Sequence, residues 1–404
     1  MQKNKESLAI FGGDPIRKNP MPFREAFGSA EKQKIQEVIY YYTEKNQDPP
    51  YQGYFENLFC EKFSEYMGGG YTDAVSTGTA SIYVALAALD LPKGSEVIIS
   101  PVTDSSPLNC IILQGYIPAV ADSQPNSYNI GLEQFSERIT NKTSALLVIH
   151  AAGEPVHQMD QIAQEAAARG IKILEDCSQA PGALVNGEKV GTFGDISAFS
   201  TMYRKNLASG GSGGLVFTKN EKLFHLSLAH ADRGKQIWRT DLNLNDPRSA
   251  LFPALNFNTN EFSCAIGLAS LERLEETIRK RNIFLSKLVD ILPKETKICL
   301  PYAHNQNFSP FYFPIFVDEK KIRCSKVEFA NALLAEGIGL LPEYGCLVTD
   351  WKWAKKYLID DFETINARTT RDHSFNLFLN EKYDEKEIED IITAIKKIES
   401  FYMS

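Results

Sequence analysis

The stretch FSTMYRKNLASGGSGG, residues 199–214, places a lysine and a run of glycines between two short apolar segments. The segments DISAFS (residues 195–200) and GLVFT (residues 214–218) both have the apolar composition of buried strands. The glycine run matches neither G-x-G-x-x-G nor G-x-x-x-x-G-K-[ST], which argues against a nucleotide-binding loop. We therefore expect the glycines to let the backbone turn back from Lys205 into the second strand.

Apolar runs of strand length alternate with helical patterns on the N-terminal side of this stretch. They predict strands over residues 96–100, 144–150 and 171–176, whereas residues 81–89 and 158–170 have helical patterns. Such repetition indicates a mostly parallel sheet covered by helices on both faces. We thus predict a three-layer α/β fold.

The pattern changes after about residue 250. A helical run over residues 260–292 is followed by a strand over residues 311–317 and by helices over residues 325–337 and 384–400. These elements predict a smaller α+β domain at the C-terminal end. The predicted units are an N-terminal arm and helix over residues 1–50, a large cofactor-binding domain over residues 51–255, and the long helix with the small domain over residues 256–404.

Composition excludes several classes of protein. The 404 residues carry a net charge of −8 without a strongly basic run, so we expect neither nucleic acid nor an anionic membrane surface as a partner. The seven cysteines form no C-x-x-C pair, which predicts neither a disulfide framework nor a metal site. The N-terminal apolar run is too short for a signal peptide, and we find no run of about 18 apolar residues. A cytoplasmic location is expected.

Polar residues follow the predicted strands where each one ends. The segment PVTDSSP (residues 101–107) follows one strand, and His150, Asp176 and Ser200 end three others, with Lys205 five residues beyond the last. Because ligands of open parallel sheets bind beyond the carboxyl ends of the strands, we expect these groups to share one edge.

A second signal is the turn STGT (residues 76–79), which leads directly into a predicted helix. Free backbone N–H groups at a helix N-terminus bind anions, although ordinary capping is an alternative explanation. An anion site, a strand-end carboxylate and a lysine together meet the needs of pyridoxal phosphate. The lysine forms a Schiff base, the carboxylate keeps the pyridine nitrogen protonated, and the helix end holds the phosphate.

Four motifs in this order carry a family resemblance: VSTGTAS, EDCSQAPGA, GDISAFSTMYRKNLASGGSGG and NFNTNEFSCAIGLASLERLEE. Their sequence and spacing resemble the DegT/StrS-type sugar aminotransferases, which are fold-type-I pyridoxal-phosphate enzymes. Similarity extends from LAIFGGDPIRKNPMPF near the start to FNLFLNEKYDEKEIEDII near the end. The resemblance implies an aspartate aminotransferase-like fold for the large domain.

The resemblance also implies roles for individual residues. Lys205 resembles the catalytic lysine, Asp176 the partner of the pyridine nitrogen, and Gln179 the group that hydrogen-bonds the ring hydroxyl. His150 matches a family histidine near the ring or its support. The implied phosphate-binding residues are Gly78, Thr79, Ala80 and Ser200, together with Asn256 from the partner subunit of a homodimer with shared active sites.

Each of these side chains also has a structural alternative. Asp176 could be a helix N-cap, Ser200 a strand-end hydrogen-bonding group, His150 a satisfied buried histidine and Gln179 part of a polar helix face.

Three positions depart from the family pattern. Asp104 stands where an aromatic ring usually stacks on the cofactor, Ser212 where a glutamate precedes the last two glycines, and Asn258 where an arginine is usual. These differences leave open the acceptor and the group that covers the cofactor face. Relatives that eliminate water carry histidine instead of the lysine, so Lys205 argues against that branch.

We therefore expect an aminotransferase that takes the amino group from L-glutamate or glutamine, passes through pyridoxamine 5′-phosphate, and aminates a keto-sugar. A nucleotide-linked sugar is favoured. A keto-cyclitol acceptor, a dehydratase- or lyase-like enzyme, and a non-catalytic member of the family are the alternatives.

Overall fold

The computed structural model describes residues 8–403. The α-helices are α1 (Ser29–Lys45), α2 (Tyr54–Tyr66), α3 (Gly78–Ala88), α4 (Ser105–Leu113), α5 (Leu132–Glu137), α6 (Met159–Ala168), α7 (Glu221–Ala231), α8 (Glu261–Glu272), α9 (Leu274–Glu295), α10 (Lys326–Ala335), α11 (Ile365–Asp372) and α12 (Glu385–Tyr402). The strands are β1 (Tyr71–Val75), β2 (Glu96–Ile99), β3 (Ile117–Val120), β4 (Thr143–Ile149), β5 (Lys172–Asp176), β6 (Leu184–Val185), β7 (Glu188–Lys189), β8 (Ile196–Ser200), β9 (Gly214–Thr218), β10 (Cys299–Pro301), β11 (Tyr312–Val317), β12 (Leu340–Leu341) and β13 (Ser374–Phe378). Short 3-10 turns lie at Ala9–Phe11, Ala151–Gly153, Pro247–Ser249, Glu319–Lys321, Val348–Asp350 and Lys355–Tyr357.

The central sheet has seven strands in the order β1-β9-β8-β5-β4-β2-β3. Strand β9 runs antiparallel to both β1 and β8, whereas the remaining pairs are parallel. Strands β8 and β9 form a hairpin in which Ser200 lies opposite Gly214, and Lys205 lies in the loop between them. The predicted mostly parallel sheet is therefore confirmed.

Both faces of this sheet are buried. Ile98 of β2 belongs to the apolar core that contains α1, α2, α6 and α8, while Val97 and Ile99 belong to the core that contains α3 and α4. Alternate residues of one strand thus pack against different helical layers, because successive side chains point to opposite faces. This packing explains why the strands are continuous apolar runs, and it confirms the three-layer α/β prediction.

The C-terminal part forms a second, antiparallel sheet in the order β10-β11-β13-β12. Its core includes residues of α9, α10 and α12, and also Leu8 from the N-terminal arm. The prediction of one continuous helix over residues 260–292 is wrong, because Arg273 has non-helical backbone angles (φ −105°, ψ 3°) between α8 and α9. The Arg273 guanidinium bonds the Glu31 carboxylate of α1 at this break.

The break separates helices that pack in different places. Cys264, Ala265 and Leu268 of α8 pack in a core of the large sheet, whereas Phe284 and Leu288 of α9 pack in the small-sheet core. The predicted domain limits stay predictions, and residues 1–7 lie outside the described residues. None of the helices within residues 8–403 has the length and apolar character needed to cross a membrane.

Candidate active site

A cavity of about 320 Å³ lies between the N-terminus of α3 and the β8–β9 loop. This volume is within the range of small-molecule and cofactor sites. The structure brings together most of the predicted site residues: those that line the cavity are Gly78, Thr79, Asp104, Asp176, Gln179, Ser200 and Lys205. Ser212 also lines it, whereas Ala80, His150 and Asn256 do not.

The first turn of α3 forms one end of the cavity. The Thr77 hydroxyl caps this helix by accepting a hydrogen bond of 2.8 Å from the Ala80 N–H. The Ala80 amide is therefore engaged, and the Gly78 and Thr79 amides, which cannot pair within the helix, are the ones suited to bind an anion. The Thr79 hydroxyl donates to Ser106 Oγ over 2.9 Å.

Gly78 allows the close contact between α3 and the end of β8. A Cβ atom at position 78 would lie 2.5 Å from Ser200 Cβ and 2.7 Å from its Oγ. Because carbon atoms pack at about 3.5–4.0 Å, no larger residue fits there without displacement of Ser200. The Ser200 hydroxyl is thus held directly beside the N-terminus of α3.

The glycine run seats the β8–β9 hairpin against the same turn. A Cβ at Gly214 would lie 2.3 Å from the Thr77 carbonyl oxygen, and one at Gly213 would lie 2.3 Å from Thr201 Oγ1. Ser212 Oγ donates to the Ser76 carbonyl over 3.0 Å. Close backbone approach therefore explains the last two glycines of the run.

Asp176 lies at the carboxyl end of β5, lines the same cavity, and is only 4% exposed. Its Oδ1 accepts a hydrogen bond of 2.9 Å from the Ser178 N–H. Burial raises the pKa of Asp176, while the Ser178 hydrogen bonds and the charge of Lys205 act in the opposite direction. A nearby protonated nitrogen would stabilise the ionised form of a carboxylate buried in this way.

Lys205 is half-buried, and its Nζ lies 4.4 Å from the centre of the Phe311 ring. Burial lowers the pKa of Lys205, and the charges of Asp176 and Asp104 oppose this shift. Desolvation of this kind favours the neutral amine, which is the nucleophilic and proton-accepting form.

Gln179 is fixed beside the cavity by the backbone. Its Oε1 accepts a hydrogen bond of 2.8 Å from the Ala152 N–H. Ala152 has a left-handed conformation with φ of 63°, which directs this segment toward Gln179.

His150 lies outside the cavity in a fully buried network. Its Nε2 is 3.1 Å from Glu175 Oε2, and its Nδ1 accepts a hydrogen bond of 3.0 Å from the Val156 N–H. Both ring nitrogens are therefore engaged, which favours the structural alternative for this residue.

Cys177 lies close to the His150–Glu175 pair, so the three side chains could in principle hold a metal ion. Glu175, however, already accepts hydrogen bonds from the backbone of Gly191, Phe193 and Gly194, and we assign no metal to the cluster.

Asn256 is exposed and away from the cavity of its own chain. Its Oδ1 accepts hydrogen bonds of 3.0 and 2.9 Å from the backbone and side-chain N–H groups of Asn258. The predicted role of Asn256 concerns a partner subunit, so this position leaves the prediction open.

A wider cleft of about 760 Å³ adjoins the cavity. The two share Asp104, Gln179, Met202 and Lys205 as walls. Asp104 caps α4 by accepting a hydrogen bond of 2.7 Å from the Ser106 N–H. The arm (residues 20–24), Phe311, Tyr312 and the small sheet complete the cleft, and sequence reasoning missed all of these.

The geometry fits pyridoxal phosphate in three respects. The first turn of α3 and the Ser200 hydroxyl line the cavity, the Asp176 carboxylate lines it as well, and Lys205 lines both the cavity and the cleft. The individual roles remain predictions.

Comparisons with known proteins agree with this arrangement. A GDP-perosamine synthase from Escherichia coli O157:H7 is 33% identical over 237 residues, which cover 57% of this chain and 62% of that protein. A protein from Micromonospora echinospora that carries the name of an L-glutamine:3-amino-2,3-dideoxy-scyllo-inosose aminotransferase is 29% identical over 290 residues, or 70% of this chain and 66% of that protein.

An aminotransferase structure from Psychrobacter cryohalolentis superposes with a TM-score of 0.84 at 24% identity, covering 93% of this chain and 98% of that one, and so has the same fold. The DegT/DnrJ/EryC1/StrS aminotransferase family matches residues 29–396. With nearly the whole length matched, the chain belongs to the DegT/DnrJ/EryC1/StrS aminotransferase family and is a pyridoxal-phosphate-dependent aminotransferase.

Proposed function

We propose that this protein transfers the amino group of L-glutamate or glutamine to the ketone of a nucleotide-linked sugar, as a homodimer with shared active sites in the cytoplasm. The observation that carries the proposal is that Lys205 lies in the walls of both the cofactor-sized cavity and the wider cleft. The seven cysteines are all free, which fits a reducing compartment.

Each contact that the bound cofactor needs has a residue available for it. Lys205 would hold the cofactor covalently, Asp176 would keep its ring nitrogen protonated, and Gly78, Thr79 and Ser200 would hold the phosphate. When bound, pyridoxal phosphate supplies an electron sink for the carbon that loses a proton. The Lys205 amine would move that proton, and burial, which lowers the pKa of Lys205, favours the neutral form that accepts it.

The cleft provides space for the acceptor. It is lined mainly by apolar and aromatic side chains, and among them Asn376 is 1% exposed. Asn376 Nδ2 has no hydrogen-bond partner within residues 8–403, so a hydroxyl or carbonyl oxygen of a ligand would satisfy it. Other polar side chains in its walls, which include Arg204 and Asn380, would orient a sugar attached to a larger group.

A keto-cyclitol is the second candidate acceptor. It is favoured by the similarity to the Micromonospora echinospora protein, and the nucleotide-linked sugar by the similarity to the GDP-perosamine synthase. The cleft has room for either ligand, and the preference for the nucleotide-linked sugar follows the higher of the two identities.

The test combines product analysis with one matched pair of variants. Borohydride reduction of the holoenzyme should leave the cofactor attached to Lys205, as read by peptide mass spectrometry. Incubation with glutamate and a panel of keto-sugars and keto-cyclitols should give 2-oxoglutarate and an amino-sugar in equal amounts. Lys205→Ala should abolish both products, while Lys219→Ala, an exposed lysine just after the same hairpin, should leave them unchanged.

Three results would contradict the proposal or a part of it. Formation of 2-oxoglutarate without any aminated product would exclude amino transfer to these acceptors. Full activity in Lys205→Ala would exclude the assigned lysine. Amination of a keto-cyclitol alone would replace the proposed acceptor by the second candidate.

A further inference from the structure

Arg281 of α9 is 1% exposed and contacts the segment that carries Lys205. Its Nη1 donates to Asn206 Oδ1 over 2.5 Å and to the Pro310 carbonyl over 3.0 Å. Its Nη2 forms an ion pair of 2.9 Å with Glu381, whose side chain is 7% exposed. A guanidinium from the small domain thus reaches the residue directly after the candidate catalytic lysine.

Asn206 connects this contact to the second wall around the lysine. Its Nδ2 donates to Ser309 Oγ over 2.9 Å and to the Ser309 carbonyl over 3.2 Å. The next residues are Pro310, which also accepts from Arg281, and Phe311, whose ring faces Lys205 Nζ at 4.4 Å. Arg281 therefore fixes both the backbone that bears the lysine and the backbone that bears the ring against its amine.

The N-terminal arm also bonds the backbone of the lysine segment. Arg24 Nη1 donates to the Lys205 carbonyl over 2.6 Å and to the Tyr203 carbonyl over 3.0 Å. The adjacent Glu25 N–H donates to Glu381 Oε1 over 2.8 Å, so the acid that pairs with Arg281 also anchors the arm. Burial and the nearby Arg281 lower the pKa of Arg24 to about 10.

A purely structural role does not account for this arrangement well. A buried ion pair is a weak source of stability, because desolvation of both charges offsets most of their attraction, and apolar residues of similar volume often do as well. Here the hydrogen bonds of Arg281 reach Asn206, directly after Lys205, and Pro310, directly before the Phe311 ring that faces the lysine amine. Catalysis depends steeply on placement, since a displacement of about 1 Å can cost about a hundredfold in rate.

We propose that Arg281 is a positioning residue for Lys205, acting through Asn206 and Pro310, with Glu381 as its counter-ion and anchor to the arm. The inference rests on the proposed role of Lys205. It adds an explanation of how the Lys205 amine is kept in place. Arg281 itself touches neither cofactor nor substrate in this account. It orients the Lys205 amine relative to the cavity.

The test uses the holoenzyme and three variants. Arg281→Lys keeps the charge but cannot bond Asn206, Pro310 and Glu381 together. Asn206→Ala removes the connection to the lysine loop and leaves the ion pair intact. Arg279→Lys is the matched control, because Arg279 lies two residues earlier on α9 in an exposed ion pair with Glu276.

Three readouts separate positioning from stability. The first is borohydride labelling of Lys205, the second is the pH titration of the absorbance of the lysine-bound cofactor, and the third is the donor half-reaction. We expect labelling in all proteins. Arg281→Lys and Asn206→Ala should lower kcat about tenfold or more, with the donor KM changed by less than about threefold. The pH midpoint of the cofactor absorbance should move by about half a pH unit or more in both variants. In Arg279→Lys, neither kcat nor this midpoint should change.

The outcomes are distinguishable from failure of the proposed function. Absence of the label on wild-type Lys205 would refute that function. A labelled wild type with unchanged kcat and absorbance midpoint in Arg281→Lys or Asn206→Ala would overturn the positioning role alone. Loss of the folded state in both variants would assign the network to stability and would overturn the proposal as well.

Discussion

At the residue scale, Gly78 is a tightly constrained position of the candidate site. Replacement by alanine would place a Cβ 2.5 Å from Ser200 Cβ, so either the helix or the strand end must shift. We expect Gly78→Ala to weaken pyridoxal phosphate binding about tenfold or more, since overpacking of this kind costs about 1–3 kcal/mol. Titration of the cofactor absorbance measures the change.

Gly211 provides the control for this prediction, because a Cβ there meets nothing within 4 Å. Gly211 lies in the β8–β9 loop, and Gly211→Ala should bind the cofactor as the wild type does. Equal cofactor affinity of the two variants would show that the Gly78 contact does not shape the site.

Glu56 gives the clearest pH dependence in the described part of the chain. Burial raises its pKa from 4.5 to about 7, with contributions from the charges of Glu261 and Asp232. Between these values the unfolded chain releases the proton while the folded protein retains it. The stability from this group is therefore complete below pH about 4.5 and is lost as the pH rises through about 7, by about 3 kcal/mol at 1.36 kcal/mol per unit.

Glu56→Gln should remove this loss, because an amide stays neutral and its oxygen can still accept the hydrogen bond of 2.8 Å from the Gln52 N–H. Urea unfolding of the variant from pH 5 to pH 8 should show a flatter free energy of unfolding than the wild type. Glu61→Gln, at an exposed position of the same helix, should follow the wild-type curve. Parallel curves for Glu56→Gln and wild type would contradict the prediction.

Sequence reasoning located the edge of the sheet but not the face on which each side chain lies. Asp176 and Glu175 are adjacent, yet Asp176 lines the cavity while Glu175 bonds His150 in the interior. A residue at a strand end is predictable from the apolar run before it, whereas its orientation depends on a register that only the folded sheet fixes. This is why His150 was placed with the cavity residues.

At the element scale, strands with an uninterrupted apolar run were predictable, and strands whose run is interrupted were not. Strand β9 has the predicted limits, and β4 and β5 differ from the prediction by a single residue at one or both ends. Strands β1 and β3 were missed because Asp73 and Pro118 interrupt their apolar runs. Proline is tolerated at the edge of a sheet, and β3 is an edge strand, so tertiary position outweighs local pattern there.

Glu261 couples two helices that the sequence shows as separate. It lies in the first turn of α8, but its carboxylate accepts hydrogen bonds from the Phe55 and Glu56 N–H groups of α2 over 2.9 and 2.8 Å. Tyr42 of α1 donates to the same carboxylate over 2.5 Å. The buried Glu261 carboxylate in the first turn of α8 thus accepts hydrogen bonds from N–H groups at the N-terminus of α2, which have no partner within their own helix.

We predict that Glu261→Ala lowers the free energy of unfolding by about 3 kcal/mol or more, because it leaves two buried backbone donors and one hydroxyl without an acceptor. Equilibrium unfolding in urea measures this loss. Glu272→Ala, at the exposed end of the same helix, should change stability by less than about 0.5 kcal/mol. Similar losses in both variants would show that the contact with α2 contributes little.

At the scale of the whole molecule, the cleft is formed by segments that are distant in sequence. The arm is fixed to the small domain where Glu336 accepts the Ala9 and Ile16 N–H groups, each over 3.0 Å, and where Arg17 pairs with Glu387 over 3.0 Å. No local pattern indicates pairs separated by more than 300 residues, since such contacts depend on the assembled fold. The acceptor cleft was therefore outside the reach of sequence reasoning, even though the candidate lysine and carboxylate were not.

The position of Asn256 allows the shared active site to be tested on the assembled protein. If Asn256 completes the site of the partner subunit, each site takes Lys205 from one chain and Asn256 from the other. We predict that Lys205→Ala and Asn256→Asp homodimers are each poorly active, the second because a carboxylate would repel the phosphate. After mixing in equal amounts and exchange of subunits, half of the dimers should be mixed, and one of their two sites should be intact. Activity should then recover to about a quarter of the wild-type value. If Asn256 acted within its own chain, every site of every dimer would carry a defect, and mixing would restore nothing.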